Sequence, residues 1–189
     1  MVKVGFIVEG DTEKIILESK DFRNFLAELN IDFIPEVINA KGNGNLLPQN
    51  IDKFSKILFS KGATKIFILT DLDDDTCITK TKERIQPSLG STFVVSVKQI
   101  EAWFLSDTEA MRSFFSDSSF LDSNPELHEI PFEKIKNLRI EKQNRGIGSK
   151  KILASLMCNQ NNFSIQKAAQ HKNSSSVNYF IGKLKNSNE

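Results

Sequence analysis

The chain has 189 residues, 25 Lys and Arg against 24 Asp and Glu, a net charge of +1, and 39% hydrophobic residues. That length serves one α/β core with a modest appendage, and the ordinary apolar content excludes wholesale disorder. No apolar run approaches the roughly 20 residues that span a bilayer, so no membrane partner is expected. The opening Met1–Val8 turns acidic too soon for a signal peptide, which points to the cytoplasm.

Taken in chain order, Val4–Val8 is a short apolar run ending in Glu9-Gly10, as suits a buried parallel strand. Asp11 is placed to cap a following helix with Glu13 in its first turn; Phe22, Phe25, Leu26 and Leu29 give it one apolar face, and Asn30 ends it. Phe33–Ile38 reads as a second strand whose Pro35 suits a sheet edge. Lys41–Asn45 is a loop. Leu47, Ile51, Phe54 and Leu58 mark a second helix, stopped at Ser60-Lys61-Gly62. Lys65–Thr70, the clearest strand, runs straight into Asp71-Leu72-Asp73-Asp74-Asp75. A short helix over 80–85, with Pro87 beyond it, leads to a strand at Thr92–Val97 and a helical region from Ile100 through Phe115. Strands alternating with helices predict a mostly parallel, Rossmann-like α/β sheet over residues 1–116. Residues 117–189 read as a mainly helical region packed on that core. It has a polar loop at 116–125, a helix after Gly146-Ile147-Gly148, and a last stripe of Val177, Phe180, Ile181 and Leu184.

In an open parallel sheet, functional side chains sit just beyond the carboxyl ends of strands. Here two strands end in acid, at Glu9 and at Asp71. Strand alternation predicts that Asp71 and Asp73 point into one space, joined by Glu9 if the two strands are neighbours. Converging carboxylates repel unless a cation neutralises them, and hard oxygen donors suit Mg²⁺ or Mn²⁺. Glu13, one helical turn beyond Glu9, and Glu101, after the fourth strand, are further candidates for the same cleft. Charge is also uneven: residues 134–189 carry 11 basic and 2 acidic residues, and the remainder carries 14 and 22. A basic surface beside an acidic site fits a polyanionic partner, though basic stretches are also common as solvated faces.

The segments Ile7-Val8-Glu9-Gly10-Asp11-Thr12-Glu13 and Ile68-Leu69-Thr70-Asp71-Leu72-Asp73 together resemble the Toprim family. Val97-Lys98-Gln99-Ile100-Glu101-Ala102-Trp103-Phe104-Leu105-Ser106-Asp107 is similar to an "iEaWfLaD" segment of uncharacterised bacterial Toprim-like proteins with a "VEGxTE" start, related to OLD-type nucleases. The likeness covers residues 4–107. It departs from the family where Asp74-Asp75-Thr76 replaces the glycine often found after Asp-x-Asp. The resemblance implies a Toprim-like fold. It also implies Asp71 and Asp73 as metal ligands, Glu9 as ligand or general acid/base, and Glu13 as a further ligand. Glu101, after the fourth strand, would complete a second metal site or else stand as a surface glutamate in an amphipathic turn. Lys150, with Lys151, opens a helix after Gly148 and is a candidate to neutralise developing phosphate charge.

The function so implied is Mg²⁺-dependent cleavage of phosphodiesters in nucleic acid, with DNA expected ahead of RNA; a setting in antiphage or mobile-element defence rests on the resemblance alone. The alternative is a non-catalytic, metal-binding module that partners a separately encoded ATPase, since no Gly-x-x-x-x-Gly-Lys-Ser/Thr occurs. A third use of the same acids is ester transfer on small phosphate substrates. Cys77 and Cys158, in no metal-ligand spacing, are expected to be idle thiols. Trp103 is expected in the core, and Asp107 as a helix cap with Glu109 in the next turn. His128 and His171 are expected to be structural or exposed, and Asp74 and Asp75 to make outer-sphere or solvent contacts. Tyr179, the one tyrosine, lies in the tail helix, which argues against topoisomerase chemistry.

Overall fold

A computed structural model describes residues 1–73, 75, 77–86 and 91–188. Its frame is a parallel sheet of five strands: β1 (Val2–Val8), β2 (Ile31–Phe33), β3 (Ile38–Asn39), β4 (Lys65–Asp71) and β5 (Ser91–Ser96). The order is β2-β1-β4-β5, and β3 pairs with the end of β1 beyond β2. β1 and β4 run in register from Val4 opposite Lys65 to Val8 opposite Leu69, so Glu9 and Asp71 leave neighbouring strands at the same edge. The two central strands are buried on both faces, which is why they read as unbroken apolar runs rather than alternating ones.

Among the described residues ten α-helices surround the sheet: α1 (Asp11–Glu18), α2 (Lys20–Glu28), α3 (Pro48–Ser60), α4 (Ile78–Ile85), α5 (Glu101–Ser106), α6 (Thr108–Phe115), α7 (Pro131–Gln143), α8 (Lys150–Gln160), α9 (Ile165–Ala168) and α10 (Ser175–Lys185). The chain is thus a Rossmann-like α/β fold with a helical C-terminal region. Successive residues of β1 and β4 feed opposite faces. Ile7, Ile66 and Ile68 pack with Ile51, Leu58 and Ile85 of α3 and α4. Gly5 lets α3 approach, because a Cβ there would lie 3.0 Å from Leu58. On the other face, Phe6, Phe67 and Phe22 gather around Phe180 of α10 with ring centroids 5.8–6.3 Å away. Trp103 stacks on the same ring at 5.7 Å. The C-terminal helices therefore complete the core rather than resting on a finished one. Among the described residues no helix is long and apolar enough to cross a membrane.

Several local expectations are corrected. Phe33–Ile38 is not one strand: the chain leaves β1 at Ile34, passes Pro35 and rejoins it as β3, though both pieces do lie at the sheet edge. Asp11 is the first residue of α1 and does not cap it; Gly10 precedes the helix without a side-chain cap. The helix expected to run to Asn30 is two helices, broken at extended Ser19, whose hydroxyl accepts from the Phe22 amide to start α2. The region from Ile100 is likewise broken at Asp107. The sequence pattern does not predict α7, since Pro131 and Ile135 are its only buried residues and Ile140 faces out. Pro87 lies outside the described residues.

Candidate functional site

A cavity of about 290 Å³ opens at the carboxyl end of the sheet, lined by Glu9, Thr12 and Glu13, by Asp71 and Glu101, and by Lys150 with their neighbours. Each acid arrives by a different route. Glu9 follows β1, and its amide continues the ladder to the Leu69 carbonyl. Its Oε2 accepts from the Thr70 hydroxyl at 2.6 Å and the Asp71 amide at 3.1 Å, which ties the ends of β1 and β4 together. Glu13 lies one turn into α1 and is buried. Asp71 ends β4 opposite Ser96 of β5, whose hydroxyl donates to Asp71 Oδ1 at 2.5 Å; the Ile100 amide donates to the same oxygen at 2.8 Å. That leaves Oδ2 toward the cavity. Glu101 opens α5 with no exposed surface, and its Oε1 accepts from the Thr12 hydroxyl at 3.1 Å.

α8 closes the cavity. Ser149 caps it by accepting from the Ile152 amide, and its first residue, Lys150, reaches in. The ammonium stands 3.2 Å from Glu101 Oε2 and 3.9 Å from Asp71 Oδ2. Glu101 Oε2 is otherwise a buried oxygen without a well-formed hydrogen bond, so the lysine meets it as a charge rather than as an aligned donor. Lys151 pairs outside with Asp11 Oδ2 at 3.1 Å, and Asp11 Oδ1 accepts from Asn39 Nδ2 at 2.8 Å.

The electrostatics follow from burial of like charges. Burial pushes the Glu13 carboxyl up to about 8, helped by Glu9 and Glu101 and opposed by a backbone hydrogen bond and Lys150. Burial, then Glu13 and Glu101, hold Asp71 well above the carboxylate range despite Ser96 and Lys150. Glu101 is raised by burial, with Lys150 and Thr12 working against it. Burial disfavours the Lys150 charge, yet Glu101 and Asp71 outweigh it and the ammonium is held above its ordinary value. The lining thus sets five acids, Glu9, Asp11, Glu13, Asp71 and Glu101, against Lys150 and Lys151, and the cluster has room for more positive charge.

The structure thus brings Glu9, Glu13, Asp71, Glu101 and Lys150 to one cavity and places Asp73 outside it. Strand alternation fails after Asp71: Leu72 still bonds to Ser96, but Asp73 takes a left-handed φ of 45° with its amide on the Lys98 carbonyl. Asp73 lines a neighbouring cavity instead, although Lys150 still feels its charge. Asp75 is held by the Thr81 hydroxyl at 2.8 Å and Arg84 at 3.3 Å, while Asp74 lies outside the described residues. Asp107 caps α6 through the Ala110 amide and also accepts from the Ser164 amide. Trp103 is fully buried. His128 bonds Asp122 at 2.6 Å, and His171 bonds the Asp122 carbonyl. Cys77 and Cys158 form no disulfide. Sequence reasoning missed Thr12, Thr70 and Ser96. Thr70 adjoins an acid in sequence and could have been noticed; Ser96 is visible only through the register of β4 with β5.

Among the described residues no three His, Cys, Asp or Glu side chains are already gathered closely enough to hold a metal ion. The chemistry of the lining is nevertheless of the type that a hard divalent cation takes: Asp71 Oδ2, Glu101 Oε2, whose one partner among the described residues is Lys150, and the carboxylates of Glu9 and Glu13 are all oxygen donors. Comparison of the chain with protein-family models, with curated proteins and with solved structures finds no match.

Proposed function

We propose that this chain is a Toprim-like, Mg²⁺- or Mn²⁺-dependent enzyme that cleaves phosphodiester bonds in nucleic acid. The observation that carries the reading is the convergence of Glu9 and Asp71, from the carboxyl ends of two adjacent strands, with Glu13 of α1 and Glu101 of α5 around Lys150. Asp71 Oδ2, Glu101 Oε2 and the carboxylates of Glu9 and Glu13 would hold the ion, with Asp73 near enough to add its charge. When bound, the ion supplies Lewis-acid polarisation of the phosphodiester. The chain's own groups do the rest. Ser96 and the Ile100 amide fix Asp71, so that its second oxygen keeps one direction. Thr70 and the Asp71 amide fix Glu9 in the same way. Lys150, beside Asp71 and Glu101, would face the developing negative charge of a phosphoryl group. The basic residues of 134–189 would attract the polyanion that the acids repel.

The test is cleavage of labelled single- and double-stranded DNA and RNA with Mg²⁺ or Mn²⁺, alongside calorimetric Mn²⁺ binding. Cleavage by wild type that Glu9→Gln and Asp71→Asn abolish, with both variants folded, supports the reading; absence of both binding and cleavage sinks it. Binding without cleavage favours the second reading, a metal-bearing module that docks on a separately encoded ATPase. One observation speaks for that reading: Leu121, Leu127 and Ile130 expose 64%, 75% and 53% of their surface within ten residues.

A further inference from the structure

The sheet ends at β5, which pairs with β4 and with no other strand among the described residues. In a parallel ladder the amide and carbonyl of one residue turn to the same neighbour, and those of the next residue turn away. The Leu72 amide donates to the Ser96 carbonyl, so Ser96 faces β4. Phe93, Val95 and, just past the strand, Val97 therefore turn their amides and carbonyls outward, and none of these groups bonds to another described residue. Edge strands are ordinarily blunted by charge, proline or a covering element. β5 reads Ser-Thr-Phe-Val-Val-Ser, with no charge and no proline. The edge lies at the bottom of a groove of about 300 Å³, with Ile78 and Lys82 of α4 on one bank and Ser175, Ser176 and Tyr179 of α10 on the other; at its floor Phe93 and Val95 are each 5% exposed and Val97 is half-buried, so a partner strand would have to enter between the two helices. Ile78 and Tyr179 remain 40% and 43% exposed beside it.

Charge says what fits. Lys183 and Lys82 stand 5.3 and 6.0 Å from the centre of the Tyr179 ring, and neither pairs with a carboxylate among the described residues. An uncharged strand edge bordered by apolar side chains, with two unpaired ammonium groups at one rim, is complementary to an extended polypeptide that is apolar in the middle and acidic at an end. A second copy of this chain fits less well, because its own β5 edge and groove carry no carboxylate to meet these lysines.

We infer that β5 is a docking edge, where an extended segment of a partner protein, flanked by Asp or Glu, adds as a sixth strand with its acids on Lys82 and Lys183. The inference does not rest on the cleavage reading, since the groove shares no lining residue with the acidic cavity and Ser96 reaches Asp71 from the opposite edge of β5. The probes are two synthetic nonapeptides with the same Val-Thr-Val-Thr-Val centre, one with a Glu pair at each end and one with a Lys pair, titrated into full-length, isotope-labelled protein. Amide shifts at Phe93, Val95 and Val97 are expected with the Glu-ended peptide, which should bind at least tenfold tighter than the Lys-ended one. In Lys82→Glu/Lys183→Glu, two surface changes that leave the core alone, that preference should reverse. Absence of shifts with either peptide at millimolar concentration, shifts with no charge preference, or β5 amides protected by concentration-dependent self-association without peptide would each overturn the inference.

Discussion

Two buried carboxylates, Glu126 and Glu101, show how differently one group can be used in a single fold. Glu126 lies in the loop before α7, beneath the start of α10. Its Oε2 accepts from the Ser175 amide and hydroxyl, and its Oε1 from the Ser176 amide and hydroxyl, at 2.6–2.9 Å. Four donors saturate it, and it supplies the cap that Ser174 does not give α10. Glu101 is buried as deeply, but it has one hydroxyl and one lysine that it shares with Asp71. A carboxylate built for stability has each oxygen committed to the protein. In the acidic cavity, oxygens are left facing space and facing one another, an arrangement that costs stability and is useful only when something else binds.

The largest effect is expected where the saturated acid is removed. Glu126→Ala would strand the first amides of α10 and loosen Ser176, which also accepts from Trp103 Nε1 at 2.8 Å. Urea unfolding should show a loss of about 3–4 kcal/mol, because buried donors are left without partners. Glu101→Gln should cost far less in the metal-free protein, since it removes a charge that its surroundings disfavour. Equal losses in the two variants would erase the contrast.

Next in size is metal affinity. Asp71→Asn keeps an acceptor for Ser96 and the Ile100 amide while removing the charge, so it tests the ligand without the collapse that alanine would invite. Calorimetry should show Mn²⁺ binding weakened at least 100-fold, about 2.7 kcal/mol. Asp73→Asn, at a residue outside the cavity, should weaken it by less than tenfold. Matching losses would mean that Asp73 swings in as a direct ligand.

What the sequence discloses here follows the same division. β1 and β4 are legible because strands buried on both faces leave continuous apolar runs, and the acids at their ends follow from that reading. The separation of Asp73 from Asp71 is illegible, because it depends on one left-handed residue after the last ladder bond. α7 is illegible because Phe132, Ile135 and Leu138 make only a sparse apolar stripe among charged residues, with Ile140 off that face and exposed. Ser96 and the Ile100 amide, which aim Asp71, come to it from β5 and the start of α5; only the pairing of β4 with β5 reveals them. The saturating role of Glu126 joins residues 49 and 50 apart through a loop with no periodic signal.

Acid titration offers a smaller effect with a definite sign. The Glu13 carboxyl is raised from 4.5 to about 8 in the fold, so between those values the folded state holds a proton that the unfolded state has lost. Glu13's contribution to stability is therefore full below pH 4.5 and falls as pH rises toward 8, by something on the order of 2 kcal/mol after allowance for its coupling to Glu9, Glu101 and Lys150. Asp71 and Glu101 are shifted the same way and steepen the fall. Chemical denaturation of the metal-free protein across this range should show it, and Glu13→Gln should flatten it. Saturating Mn²⁺ should flatten it too, by favouring the ionised cluster. A stability that rises through this window would contradict the unsatisfied state of the cluster.

The smallest effect is expected at Lys151, which shows where the two kinds of site meet the surface. Its ammonium pairs with Asp11 at 3.1 Å beside the cavity mouth, but the lysine side chain is 66% exposed. A pair so solvated contributes about 0.5 kcal/mol or less to stability, and Lys151→Ala should leave unfolding nearly unchanged. If nucleic acid approaches the acidic cavity from the side of α8, the same change removes one phosphate contact. Binding to labelled oligonucleotides, measured in Ca²⁺ by anisotropy, should then weaken alike for every base sequence. The dependence of log affinity on log salt should become shallower by about 0.9 for duplex DNA or 0.7 for a single strand. Asp11→Asn should act in the opposite direction, because it frees Lys151 from its carboxylate and removes a negative charge from the cavity mouth. An unchanged salt slope in Lys151→Ala would place the nucleic acid elsewhere on the basic half of the chain, and affinities unchanged in both variants would leave the α8 side of the cavity with no part in binding it.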